Sequence, residues 1–157
     1  MNSGSASSDI FTDYIEARAH SRATEVPERV EEAILNVFQD DLREYVKVSH
    51  DAVEGHSDNP IVVIKGVLKN ERRCLEQLKY LVSHLEEDDL SYIRHTMTRR
   101  FDDNCRFYLR IDKQEAYLGK IHLAQVTDMI SVEVRLRQYP RCVANSAMEW
   151  LFDHLNK

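Results

Sequence analysis

The sequence predicts an α+β fold, a two-layer sandwich in which a mostly antiparallel sheet is covered on one face by helices. Three observations carry that prediction. Short runs with an apolar residue at every second position occur along most of the chain, runs with apolar residues at helical spacing fall between them, and no internal repeat or low-complexity linker breaks the pattern. At 157 residues the chain has the length of one domain, able to bury a core without help from metals or cystine bridges. We expect a flexible tail over residues 1–9 and a single domain over 10–157.

The first strand is FTDYIEARAHS, with Phe11, Ile15, Ala17 and Ala19 expected toward the core and Thr12, Tyr14, Glu16, Arg18 and His20 toward solvent. Pro27 suits a first helical turn, and Val30, Ala33, Ile34, Val37 and Phe38 recur at helical spacing, which predicts a helix over about 27–39. Glu28, Glu31 and Glu32 near its start complement the helix dipole. YVKVSHDAVEG and IVVIKGVLK, separated by HSDNP, read as a hairpin, with Tyr45 at its start and an inner strand apolar on both faces. Asn70 is a candidate N-cap for a helix that turns Cys74, Leu78, Leu81 and Leu85 inward. Another helix begins near Asp88 or Asp89 and uses Leu90, Ile93 and Met97. Three β segments follow, Cys105 to Ile111, Lys120 to Ala124 and Met129 to Tyr139, before a closing helix with Ala144, Ala147, Met148, Leu151 and Leu155. The expected order is β-α-β-β-α-α-β-β-β-α.

Charge is divided along the chain. Residues 1–93 carry a net of −9 and residues 94–141 a net of +4, within an overall −6. Local rather than total charge therefore decides which partners the surface attracts. No apolar run approaches the roughly 18 residues of a membrane span, and MNSGSASSD lacks the basic start and apolar stretch of a signal peptide. We expect a cytoplasmic protein without a membrane partner. Cys74, Cys105 and Cys142 are widely spaced and form no CxxC pair, so reduced core thiols are expected.

Catalytic motifs are missing. The chain has no GxSxG elbow, HExxH pair or phosphate-cradling glycine loop, and only four glycines in all. His50, His56 and Asp58 form a weak candidate metal set, with turn chemistry favoured for their stretch, and no cofactor is implied. The more specific signal is the outward parity of three strands: Tyr14, Arg18 and His20, then Arg106, Tyr108 and Arg110, then Arg135, Arg137 and Tyr139. If these strands share a sheet, its open face combines guanidinium forks with tyrosine rings, chemistry suited to RNA phosphates and unpaired bases. The bland alternative is that long side chains solvate the face and pair with Glu16 and Glu133.

GHSDNPI, FYLRIDKQEAYLG and DMISVEVRLRQYP together resemble an archaeal family of RNA-binding, exosome-subunit-like proteins. The family's GHxxNPI motif falls on Gly55, His56, Asn59 and Pro60. Its YLRxDKQxAxxG motif falls on Tyr108, Leu109, Arg110, Asp112, Lys113, Gln114, Ala116 and Gly119. Asp58 stands where the family favours glycine. The resemblance spans roughly residues 11–155 and implies a fold similar to the fifth protein of the large ribosomal subunit. It also implies a non-catalytic RNA-binding role, with RNA and exosome subunits as partners. On this reading Arg18, Arg106, Arg110, Lys113, Arg135 and Arg137 contact phosphates while Tyr108 and Tyr139 stack. The alternatives are a homodimerisation or protein-interaction module using the open sheet face or an edge and, more weakly, a metal-dependent hydrolase.

Overall fold

The computed structural model describes residues 10–54 and 60–156. Strand β1 (Ile10–Ser21) leads to helix α1 (Pro27–Val37) and a 3-10 turn over Asp40–Tyr45. Strands β2 (Lys47–Glu54) and β3 (Pro60–Lys69) follow, then helices α2 (Glu71–His84) and α3 (Glu87–His95) and a short 3-10 turn, Met97–Arg99. Strand β4 (Arg106–Asp112), helix α4 (Lys113–Tyr117), strand β5 (Met129–Gln138) and helix α5 (Ala144–His154) complete the chain. The five strands form one sheet in the order β2-β3-β1-β5-β4, and every neighbouring pair is antiparallel. The α+β architecture is the expected one. No helix is long and apolar enough to cross a membrane among the described residues.

The sheet's covered face is built by strand parity. Ile15, Ala17 and Ala19 on β1, Ile64 and Leu68 on β3, Phe107, Leu109 and Ile111 on β4, and Val132 and Val134 on β5 are buried together with Ile34, Phe38, Leu78, Leu81 and Ile93 of the helical layer. Gly66 belongs to the same face. A Cβ there would sit 3.0 Å from Val46 Cγ1 and 3.1 Å from Ile34 Cγ2, so the missing side chain lets the helical layer seat on β3. Asn70 caps α2 as expected, its side chain accepting from the Arg73 N–H at 3.1 Å.

Several local expectations change. Asp13 is the extra residue where the β1–β5 register shifts between Thr12 and Tyr14. That bulge puts Thr12, only 1% exposed, on the core side opposite Leu136, and sends Phe11 to the open side opposite Arg137. Tyr45 ends a 3-10 turn instead of starting β2, and the Arg73 guanidinium lies 3.5 Å above its ring. The stretch 120–124 runs along the outer edge of β4, touching it through the Ile111–Leu123 bridge instead of forming a full strand. DKQEAYLG, which continues directly from β4, forms the capped helix α4.

The cysteines also differ from expectation. Cys105 and Cys142 form a disulfide, with Cα atoms 6.0 Å apart across 37 residues. Spacing in sequence gives no hint of this, because the antiparallel pairing of β4 with β5 brings the two ends together: the Leu136 N–H donates to the Cys105 carbonyl at 2.8 Å. Cys74 stays a buried thiol, its pKa pushed up to about 12 by burial.

Candidate nucleic-acid interface

The face of the sheet away from the helices carries most of its polar side chains in three rows, each set by strand register, with Asp51, Val63 and His20 forming a further row beyond them. One row reads Lys69, Tyr14, Arg135, Arg106 across β3, β1, β5 and β4. The next reads Lys47, Val67, Glu16, Glu133, Tyr108, and the third Ser49, Lys65, Arg18, Ser131, Arg110. Two basic rows thus flank a central row holding two facing carboxylates.

Those carboxylates are not free. Glu16 is 4% exposed and accepts from Tyr14 Oη at 2.7 Å and from Arg18 Nη2 at 2.9 Å. Burial works to raise its pKa, but the Tyr14 and Arg18 hydrogen bonds and the charges of Arg18 and Lys65 outweigh it and hold the carboxyl below its usual range. The same contact raises the Tyr14 pKa to about 12, burial being the larger cause and the bond to Glu16 the next. Glu133 accepts from Arg135 Nε, and this bond raises the Arg135 pKa. The Arg135 guanidinium also lies 3.9 Å above the Tyr14 ring.

The expected site residues therefore separate into groups. Arg106 and Arg110 face outward with no ion pair among the described residues. Arg18 and Arg135 are on the face but engaged by Glu16 and Glu133, and Arg137 Nε reaches Asp13 at 3.0 Å at the bulge. Tyr108 is on the face with its hydroxyl donating to Asp102 at 3.1 Å, and burial followed by that bond raises its pKa. Tyr139 lies just past the end of β5, 82% exposed.

Lys113 does not belong with them. Its side chain is 3% exposed, and its ammonium donates to the His20 carbonyl at 3.0 Å and pairs with Glu25 at 2.8 Å and Asp128 at 2.6 Å. It ties the end of β1 to the loops before α1 and before β5, and has no donor left for a phosphate. The rest of its motif is architectural too. Asp112 caps α4 by accepting from the Glu115 N–H at 2.9 Å, and Gly119, at φ 86°, ends it. There the Gly119 N–H donates to the Ala116 carbonyl and the Lys120 N–H to the Glu115 carbonyl, both at 2.9 Å, a bond pattern that requires a left-handed residue. Gln114 is exposed beside them. In the other motif Pro60 starts β3, and Gly55, His56 and Asn59 lie outside the described residues. His50 bonds Glu31 of α1 at 2.6 Å, while His56 and Asp58, its partners in the candidate metal set, are outside the described residues.

Sequence reasoning missed Lys47, Lys65 and Lys69 as face residues. Lys65 sits in an apolar run that reads as buried on both sides, yet its register partner Arg18 shows which way it points. Arg99 and Arg100, at the charge reversal, also flank this surface beside β4.

Residues 14–136 match the protein family described as RNA binding. The chain is 31% identical over 141 residues to RNA-binding protein PAB1135 of Pyrococcus abyssi, covering 87% of this chain and 92% of that protein. It is 32% identical over 120 residues to the uncharacterized protein MJ0213 of Methanocaldococcus jannaschii, covering 74% and 78%. In three dimensions it superposes on protein AF2318 of Archaeglobus fulgidus with a TM-score of 0.79 at 28% identity, covering 91% of this chain and 99% of that one. Mth689 of Methanothermobacter thermautotrophicus, a DUF54 protein, gives a TM-score of 0.74 at 25% identity, covering 93% and 99%. The match over 14–136 runs from within β1 through most of β5 and so touches every strand of the basic face, and by it this chain belongs to the RNA-binding family.

Proposed function

We propose that the open face of the sheet binds single-stranded RNA through its phosphates, with tyrosine rings at its margin taking up unpaired bases. The observation that carries this reading is the imbalance of free charge on the face. Glu16 and Glu133 are consumed by Arg18 and Arg135, whereas Lys47, Lys65, Lys69, Arg106 and Arg110 have no ion-pair partner among the described residues and outnumber the one exposed carboxylate of the face that likewise has none, Asp51. A chain with a net charge of −6 thus offers a locally cationic sheet. The engaged carboxylates also favour a non-catalytic role, since neither is available as an acid or base. We extend the reading to an accessory of RNA processing, in company with exosome subunits, on the strength of the family resemblance.

The test is RNA affinity across a salt series for the wild type and for a Lys65→Ala, Arg106→Ala double variant. These two are chosen because neither is hydrogen-bonded or ion-paired to a buried carboxylate, as Arg18 and Arg135 are. Removing one phosphate interaction with a single strand flattens the slope of log affinity against log salt by about 0.7, so the pair is expected to flatten it by about 1.4. An unchanged slope in the folded double variant would rule out the face.

A second reading has one observation in its favour. The outer edge of β4 is covered by neighbouring chain, but β2 is the other terminal strand of the sheet and carries Val53, 48% exposed. Pairing of two copies along β2 would give a homodimer that leaves the basic face open. Light scattering across a concentration series separates a dimer from a monomer.

A further inference from the structure

The outer edge of β4 is covered in two stretches with an opening between them. On one side the Tyr108 N–H donates to the Arg100 carbonyl at 2.9 Å and the Asp102 N–H to the Arg106 carbonyl at 3.1 Å. On the other the Ala124 N–H donates to the Arg110 carbonyl at 2.8 Å and the Asp112 N–H to the His122 carbonyl at 2.9 Å. The cleft left at this edge is walled by Tyr92, Thr96, Arg99, Arg100, Tyr108 and Arg110.

Three guanidinium groups meet there, and none has a carboxylate within ion-pair distance among the described residues. Two of the nearby acids are already used, while Asp88, which lines the adjoining hollow with Tyr92 and Arg110, is exposed and makes no ion pair among the described residues. Asp102 accepts from Tyr108 Oη and from the Asn104 and Arg106 N–H groups, and Asp89 accepts from the Leu123 N–H and lies 3.7 Å from His122. Arg100 is fixed by donating through Nε to Thr96 Oγ1 at 2.7 Å and through Nη1 to the Tyr108 carbonyl at 3.4 Å, with Tyr92 alongside at 5.4 Å. Burial, with Arg110 and Arg99 adding as like charges, lowers its pKa. Like charges gathered in a partly buried cleft repel one another, and a bound anion relieves the repulsion.

The charge also indicates what kind of anion. An internal RNA phosphodiester carries one negative charge, whereas a terminal phosphomonoester carries about 1.5 to 2 at neutral pH and offers three acceptor oxygens. The cleft shares Tyr108 and Arg110 with the open face, so a strand lying on that face reaches it at the sheet's edge. We propose that this cleft receives the terminal phosphate of an RNA strand, held by Arg99, Arg100 and Arg110, with Tyr92, 54% exposed, as a plane for the last base. The proposal rests on the RNA-binding reading above and adds recognition of a strand end to it.

Competition binding with one short single-stranded RNA, unlabelled and carrying a 5′-phosphate, a 3′-phosphate or hydroxyls at both ends, tests it. The wild type is expected to prefer one phosphorylated form by about ten-fold over the hydroxyl-ended RNA, the order expected of one charge-assisted contact set. Arg99→Gln, an exposed position whose folding is checked by a circular dichroism melt, is expected to equalise the three affinities. Lys65→Ala is expected to weaken all three and keep the preference. Equal affinities in the wild type, or a preference that survives Arg99→Gln, would overturn the end-recognition proposal while leaving RNA binding by the face intact. Absence of binding to any of the RNAs would overturn both.

Discussion

Replacing Lys113 by methionine tests whether the DKQ motif is architecture or binding surface. Methionine keeps most of the apolar stem and removes three donors. The His20 carbonyl and the Glu25 and Asp128 carboxylates, bonded to Nζ at 3.0, 2.8 and 2.6 Å, are then left without their common partner. Breaking a fully buried ion pair costs about 3–5 kcal/mol. Here the lysine is 3% exposed, but the Glu25 and Asp128 side chains are 23% and 36% exposed and regain part of their hydration. The expected loss is therefore about 2–3 kcal/mol, which for a chain of this length lowers the melting temperature by about 5–10 °C. Circular dichroism melts measure it, with urea midpoints as a second reading. An RNA salt series well below the melting temperature should give the wild-type slope, because the buried ammonium touches no phosphate. A variant that melts like the wild type but binds RNA with a shallower slope would refute the reasoning and return Lys113 to the binding face.

Three further outcomes follow from the packing. Gly66→Ala forces a Cβ to 3.0 Å from Val46 and 3.1 Å from Ile34 and is expected to cost about 1–3 kcal/mol in urea unfolding; a neutral result would mean the helical layer is not seated on β3 as described. Spectrophotometric titration should find one tyrosine ionising near pH 12, and Glu16→Gln should bring it down. The Tyr14 pKa is raised from 10, so its contribution to stability is complete below pH 10 and lost between 10 and 12. That of Glu16, whose pKa is lowered from 4.5, is complete above pH 4.5 and lost as the pH falls further. Thiol titration of the unreduced, denatured protein should find one free cysteine, Cys74. Reducing the Cys105–Cys142 bridge should cost up to about 4 kcal/mol, from the loop entropy of its 37-residue span; three titratable thiols without reductant would contradict the pairing.

What the sequence made legible was whatever depends on neighbours along the chain. Alternation predicted the inward faces of β4 and β5, helical spacing predicted α1, α2 and α5, and the residue type at Asn70 predicted its cap. What it hid depends on partners far away. A single extra residue at Asp13 reverses the parity of everything before it, and nothing in FTDYIEARAHS marks the spot. Lys113 looks like a surface lysine because its three partners lie at His20, Glu25 and Asp128, the first two about ninety residues upstream. Lys65 looks like an intruder in a buried strand until the register sets it beside Arg18 on the outer face.

The same distant pairing explains why an RNA-facing sheet keeps two glutamates at its centre. Without them, Arg135 would stand opposite Arg106, and Arg18 beside Lys65, with nothing to offset the repulsion of like charges on adjacent strands. Glu16 and Glu133 sit between these cations, each orienting the arginine two residues further along its own strand. The arrangement also shapes the field that a polyanion meets. The two basic rows lie four residues apart along β1, roughly 13 Å, with the carboxylate row between them. A phosphate chain crossing from one basic row to the other would pass over Glu16 and Glu133, whereas one following a single row meets three cations and no carboxylate, with one neutral residue, Tyr14 or Ser131, between them and strands about 4.8 Å apart. The electrostatics therefore favour a path across the strands, toward Arg106 or Arg110 on β4, and the row ending at Arg110 leads to the cleft at the sheet's edge.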